Sequence, residues 1–330
     1  MKLEQAWSVL AKFPQVELGL NPTPLHRMQG LEKKLNFEPI FIKRDDLNGL
    51  GIGGNKVRNL EFLLGDALAQ GADTIIASGQ VQSNLCALTA AACRKLGLDC
   101  ILVHNNEKPE KLEGNAILNH LLSIDQRHIG SVDSSIREAY TEELFTQLKA
   151  SGKKPYLIRN GASTPLGCLG YVQAACEILG QMETKGLPIG SVCVPGGNGG
   201  LAAGTIFGCA LLDRPYHVDL ITVEYDKSEL VPILESFIQG MEELTGVRFP
   251  YALEEVTTIH EDFRCGGWGL IDDEVVSFLY DFAQTEGFYV EKVYTGKTLF
   301  GVVELVKRGY FDKGVCFLHS GGMGALFSQF

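Results

Sequence analysis

The strongest constraint on the fold is an alternation of two kinds of segment. Short apolar or β-branched runs, "PIFIKRD", "DTIIASG", "DCILVHN", "PYLIRNG", "SVCVPGG", "VDLITVEYD" and "GVCFLHSGG", are separated by longer stretches of helical period such as "KVRNLEFLLGDALAQG" and "PILESFIQGMEELTG". Runs this short and this uniformly apolar suit strands covered on both faces, which means mainly parallel sheets with helices between the strands. The expected fold class is therefore α/β, with mainly parallel twisted sheets flanked by helices. At 330 residues the chain has room for one large domain or two modest ones, each with its own core. No tandem repeat or low-complexity tract interrupts the pattern.

Charge narrows the partners. A formal net charge of -11 argues against a phosphate backbone or an anionic lipid surface, both of which need a concentrated basic face. No apolar run approaches a membrane span, and the opening "MKLEQAWSVLAKFPQ" mixes charged and apolar residues where a signal peptide would build an apolar core. The cytoplasm is the expected location. Nine cysteines form no C-x-x-C pair and no His/Cys cluster at metal-ligand spacing, so no metal is expected. Cys86, Cys93 and Cys100 recur every seven positions in an Ala-rich region and read as small core residues. His319 likewise reads as structural.

Four turns after apolar runs, "SGQVQSN", "NGASTPLG", "PGGNGGLAAG" and "HSGGMGALF", place small and polar residues where helices begin. In open parallel sheets the ligand crevice lies at the carboxyl ends of the strands, so these turns are expected to face one site. The stretch "LGIGGNKVRNLEF", Leu50 to Phe62, puts Gly51, Gly53, Gly54 and Asn55 directly before Lys56 and a helical pattern. A lysine at a helix N-terminus is unfavourably placed for the helix dipole. It reads either as a solvated side chain after a loop or as an amine kept free to form a Schiff base with an aldehyde. "VPGGNGGLAAG", Val194 to Gly204, reads as a glycine-rich turn whose amides and helix dipole cradle a phosphate. It fits neither the nucleotide P-loop pattern nor the Rossmann fingerprint, and a single phosphate on a compact cofactor suits it better.

In order, "GGNKVRNLEFLLGDALAQGADTIIASGQVQSN", "PGGNGGLAAG", "VYTGKTLFG" and "HSGGMGAL" resemble the D-cysteine desulfhydrase and 1-aminocyclopropane-1-carboxylate deaminase family of fold-type II pyridoxal-phosphate enzymes. The likeness runs from "NPTPLHRM" to the C-terminus. It implies a two-domain, tryptophan synthase β-like fold: residues 1–52 and 164–330 as a large cofactor-binding domain, and residues 53–163 as a smaller inserted domain. It also implies a homodimer. Carried over residue by residue, it implies that Lys56 holds pyridoxal 5'-phosphate and shuttles protons. Ser83 and Asn84 would serve the substrate carboxylate and the cofactor's 3-oxygen, and Gly197, Asn198, Gly199, Gly200 and Leu201 the phosphate. Tyr294 would stand beside the substrate as a polar catalytic partner. Without the resemblance, Tyr294 reads first as a half-buried packing aromatic, and Ser83–Asn84 equally as a helix cap.

Departures from the family pattern bear on the substrate. The cyclopropane deaminases resemble one another in carrying Glu directly after the tyrosine, where this chain has Thr295; Ser320 stands in "HSGG". The expectation is a hydroxyl of Thr295 or Ser320, and no carboxylate, at the pyridine nitrogen, which weakens the electron sink and favours β-elimination. "QSNH" or "QSNQ" becomes "QSNL", so Leu85 replaces a polar residue. "PGYG" becomes "GGWG", so Trp268 replaces a tyrosine, and "DPVYTGK" becomes "EKVYTGK", with Glu291 and Lys292. The reading is a pyridoxal-phosphate lyase acting on a small amino acid, D-cysteine first, giving pyruvate, ammonia and sulfide. Cyclopropane-acid deamination, a lyase for a related substrate such as cysteate, and a cofactor-binding protein without turnover are the alternatives.

Overall fold

A computed structural model describes all 330 residues. Ten strands build two sheets. In chain order they are β1 (Leu25–Arg27), β2 (Ile40–Arg44), β3 (Thr74–Gly79), β4 (Asp99–His104), β5 (Asp125–His128), β6 (Pro155–Leu157), β7 (Ile189–Gly196), β8 (His217–Thr222), β9 (Thr257–His260) and β10 (Gly314–His319). The six-stranded sheet runs β1-β2-β10-β7-β8-β9 and the four-stranded sheet β5-β4-β3-β6. Every pairing is parallel except β1 with β2.

All seven apolar runs of the sequence are strands. The three further strands, β1, β5 and β9, are sheet edges. β6 is an edge as well but keeps the run "PYLI", whereas "LHR", "DQRH" and "TTIH" are short, partly exposed and mix polar with apolar residues, so they carry no apolar run for the sequence to reveal. Eight of the nine cysteines are buried and none is disulfide-bonded. The seven-residue spacing is one helix plus the next strand: Cys86 and Cys93 lie on Asn84–Leu96, and Cys100 lies on β4.

Local chemistry sets the helix starts around the crevice. Ser83 caps Asn84–Leu96 by accepting from the Cys86 amide at 3.3 Å, and Thr164 caps Pro165–Lys185 by accepting from Gly167 at 3.1 Å with proline at the first helical position. The glycines before Lys56 act on protein backbone. A Cβ on Gly53 would fall 1.8 Å from the Asp46 carbonyl oxygen, and one on Gly321 would fall 2.5 Å from Gly54 Cα. They let the loop seat against Asp46 and the Ser320–Gly321 turn, where the Asn55 amide donates to the Ser320 carbonyl at 2.8 Å. The helix Lys56–Ala69 thus starts from a fixed point.

That helix is anchored by a buried charge cluster. The Arg58 guanidinium donates to Asp45 through Nε (2.7 Å) and Nη2 (2.8 Å), and to Glu177 through Nη1 (2.8 Å) and Nη2 (2.9 Å). Lys43 Nζ donates to Glu177 at 2.8 Å, and the Tyr171 hydroxyl to Asp45 at 2.8 Å. Burial opposes ionisation of Asp45, but the Arg58 charge and hydrogen bonds outweigh it and hold the carboxyl at about 2. Two cations and two anions leave water together, and each keeps partners.

Replacing Arg58 by Met strands Asp45 and Glu177, so Arg58→Met should cost about 3–5 kcal/mol of unfolding free energy, read from the urea midpoint. Asp45 has a folded pKa below its unfolded value, so its contribution is present above the ordinary carboxylate range and is lost as pH falls through about 2. The wild type should lose stability along that fall, and an Arg58→Met, Asp45→Asn variant should lose less.

Candidate active site

A cavity of about 470 Å³ opens at the carboxyl ends of strands from both sheets. Lys56, Ser83, Asn84, Leu85, Gly197, Asn198, Gly199, Gly200, Leu201, Trp268, Tyr294 and Ser320 all line it. Thr295 does not. It is 1 % exposed, its Oγ1 accepts from the Glu291 amide at 2.9 Å, and its own amide donates to Glu291 Oε1 at 2.8 Å. As the first residue of the helix Thr295–Lys307, it is turned into the cap of that helix and away from the cavity.

Lys56 Nζ donates to the Gly161 carbonyl at 2.7 Å. Burial lowers this amine to about 8, with Cys168 and Glu224 pulling weakly the other way. Its place at a helix N-terminus pushes in the same direction as burial. The lysine is therefore half-buried and closer to neutrality than an exposed one. Glu224, just beyond β8, is raised by burial and held back in part by the Lys56 charge.

At the opposite end, β7 runs through Gly196 into the turn before the helix Gly200–Leu211. Gly199 has φ +83°, a left-handed conformation, and a Cβ there would meet Ile233 at 2.8 Å. No side chain caps this helix, and its first bond is donated by Ala203 to the Gly199 carbonyl at 2.8 Å. The amides of Gly200, Leu201 and Ala202 precede that bond and have no partner within the helix. A Cβ on Gly200 would lie 2.7 Å from Ser163 Oγ, so only glycine leaves the hydroxyl room beside this cradle. A phosphate at the amides and an aldehyde at the Lys56 amine match the donor set: these residues fit pyridoxal phosphate.

Tyr294 and Trp268 form one unit. Trp268 Nε1 donates to the Tyr294 hydroxyl oxygen at 2.7 Å, which leaves the phenol's own proton free. Burial pushes the Tyr294 phenol well above its ordinary value, so it stays protonated. Trp268 is 44 % exposed and sits at the mouth, whereas Leu85 is 3 % exposed and packs into the core beneath the four-stranded sheet. Asn84 Oδ1 accepts from Asn115 Nδ2 at 2.8 Å, which orients its amide. Ser320 lines the wall, 6 % exposed.

Among the lining residues not singled out individually from the sequence are Glu224, Gly161, Ser163 and Arg137. Glu224 lies near the end of the run "VDLITVEYD", two residues beyond β8, so the strand-end rule that picks out the other turns would also have found it. Arg137 lies inside a helix and carries no such signal. Glu291 enters the wall as well, with its carboxylate accepting from the amides of Val293 (2.7 Å), Tyr294 (2.6 Å) and Thr295 (2.8 Å).

Two mainly parallel sheets with a shared cavity, an amine of lowered pKa and a glycine turn with free helix amides fit a pyridoxal-phosphate enzyme. Residues 16–321 match the pyridoxal-phosphate dependent enzyme family, and the chain belongs to it. A protein of Pyrococcus horikoshii provisionally named 1-aminocyclopropane-1-carboxylate deaminase is 39 % identical over 321 residues, 97 % of this chain and 95 % of that protein. D-cysteine desulfhydrase of Klebsiella pneumoniae is 35 % identical over 326 residues, covering 97 % of each. The crystal structure of an ACC deaminase homologue superposes with a TM-score of 0.89 at 38 % identity, over 98 % of this chain and 96 % of that one. A bacterial threonine deaminase, 19 % identical with a TM-score of 0.63 over 97 % of each chain, shares the fold. No helix is long and apolar enough to cross a membrane.

The neutral amine is the form that captures an aldehyde, and its fraction grows as pH rises through about 8. The rate at which cofactor-free protein takes up pyridoxal phosphate, followed by its visible absorbance, should climb through that pH and then level off. Borohydride should fix the cofactor to the Lys56 peptide, and Lys56→Ala should abolish the fixation.

Proposed function

We propose that the protein removes a β-substituent from a small amino acid, D-cysteine first among candidates, releasing pyruvate, ammonia and sulfide. When bound, the cofactor supplies the electron sink for loss of the α-proton. The observation that carries the reading is the pairing, in one cavity, of the Lys56 amine with the Tyr294–Trp268 unit. Lys56 Nζ takes the α-proton, for which its lowering by burial to about 8 suits it. Tyr294 Oη, still protonated, gives a proton to the departing sulfur, and Trp268 Nε1 steadies the oxygen left behind. The first amides of Asn84–Leu96 orient the carboxylate, with Ser83 holding the start of that helix.

Ser320 at the pyridine nitrogen accords with elimination, since Thr295 is withdrawn and the Glu291 carboxylate is occupied by three amides. The presence of Glu291 in the wall is the observation that favours the second reading, opening of the cyclopropane acid. We read residues 53–163 as a domain that closes on the rest. The four-stranded sheet lies within those bounds, and the cavity draws residues from both parts. A cytoplasmic location accords with nine free cysteines. A homodimer rests on the resemblance alone.

Keto-acid release over D- and L-cysteine, β-chloroalanine, serine, cysteate and the cyclopropane acid tests the reading. Pyruvate from D-cysteine or another β-substituted amino acid is expected; 2-oxobutyrate from the cyclopropane acid alone would reject it. Trp268→Phe should lower kcat/KM about tenfold, the worth of one hydrogen bond, with the cofactor absorbance unchanged. Leu85→His is expected to destabilise, because Leu85 is a core residue.

A further inference from the structure

Arg137 is the one cationic side chain with a buried nitrogen that lacks a partner. The other deeply buried cations are satisfied: Arg58 and Lys43 by carboxylates, and Lys297 by the carbonyls of Arg264 (2.8 Å) and Gly267 (2.6 Å). Arg137, on the helix Ser134–Ala150, is 4 % exposed and lines the cavity together with Gly79, Gln80 and Ser83. Its Nη1 donates to Asn105 Oδ1 at 2.8 Å, and Asn105 Nδ2 is tied to the Val132 carbonyl at 2.9 Å. Its Nε has no partner, and no carboxylate pairs with the group. An isolated buried cation is expensive, and a guanidinium is shaped to receive an oxyanion through two parallel bonds.

A second feature converges on the same place. Ser83 caps Asn84–Leu96 only at the Cys86 amide, so the amides of Asn84 and Leu85 remain at the N-terminus of a 13-residue helix that borders the cavity. Asn105 follows β4, whose last residue His104 stands in register with Gly79 at the end of β3, directly before the Gln80–Ser83 turn. The Asn105 tether therefore fixes the guanidinium beside the turn that opens this helix. Arg137 also acts electrostatically on Cys86, in the first turn.

We propose that Arg137 is a substrate-binding residue that holds an oxyanion of the amino acid at the start of the Asn84–Leu96 helix. The proposal rests on the amino-acid reading above. The oxyanion is either the α-carboxylate or an anionic group on the β-carbon, such as a sulfonate. The two sources are separable.

The test is calorimetric titration of the cofactor-loaded enzyme with propionate and with 3-sulfopropionate. Neither acid can be turned over, so the result stands even if no amino acid proves to be a substrate. Arg137→Gln should weaken binding on the order of thirtyfold while leaving the visible absorbance and Tm in place. Equal loss for both acids assigns the α-carboxylate, and loss for 3-sulfopropionate alone assigns the β-group. Unchanged affinity for both acids overturns the proposal. Should Arg137→Gln fail to fold, phenylglyoxal labelling of the unaltered enzyme decides. Saturating acid should slow modification of the Arg137 peptide, and equal labelling with and without acid overturns the proposal.

Discussion

The rest of the structure depends on the buried contact between Arg58 and the pair Asp45–Glu177. Asp45 follows β2 of the six-stranded sheet, Glu177 lies on the helix Pro165–Lys185, and Arg58 sits two residues beyond Lys56. One guanidinium thus joins a strand end, a long helix and the first turn of the helix that carries Lys56. Its planar fork allows this, since it makes two parallel hydrogen bonds to each carboxylate. The position of Lys56 is therefore set from behind by charge, and from in front by the loop seated on Asp46 and Gly321.

The cavity borrows its electrostatics from backbone. The helices Asn84–Leu96 and Gly200–Leu211 follow strands of the two different sheets, and both present their N-termini to it. Unpaired amides and the positive ends of helix dipoles favour anions at each, as befits a ligand with a phosphate and a substrate with a carboxylate. Glu224 acts on the lysine, whereas three amides occupy the Glu291 carboxylate in the cavity wall. The lowering of Lys56 comes from burial and is only partly offset by Glu224.

Tyr294 and Trp268 are joined by a hydrogen bond in the cavity wall. The tryptophan N–H can only donate, so the direction of its bond to the phenol is settled, and the phenol proton stays available to the cavity. The three glycines around Trp268, Gly266 and Gly267 before it and Gly269 after, all have positive φ. A ring larger than tyrosine is thereby carried on a backbone that only glycine adopts readily.

The sequence by itself determined six interior strands and the edge strand β6, the helices between them and the turns that gather at one cavity. Strands buried on both faces must be apolar throughout, and phosphate cradles need glycine, so both leave a mark on composition. It also singled out Lys56 and Gly197–Leu201, since glycines before a lysine and a glycine turn before a helix are local signatures. Only the tertiary structure decided the edge strands β1, β5 and β9, the withdrawal of Thr295, the core position of Leu85, and the arrival of Glu224, Ser163 and Arg137 in the cavity. Thr295 illustrates the reason. One residue after Tyr294 it looks like a cavity residue, yet as the first residue of a helix its hydroxyl meets the Glu291 amide four positions back. Side-chain direction at a helix start, and contacts between residues more than eighty positions apart such as Lys56 and Gly161, are fixed by packing in three dimensions and leave no period or motif in the chain.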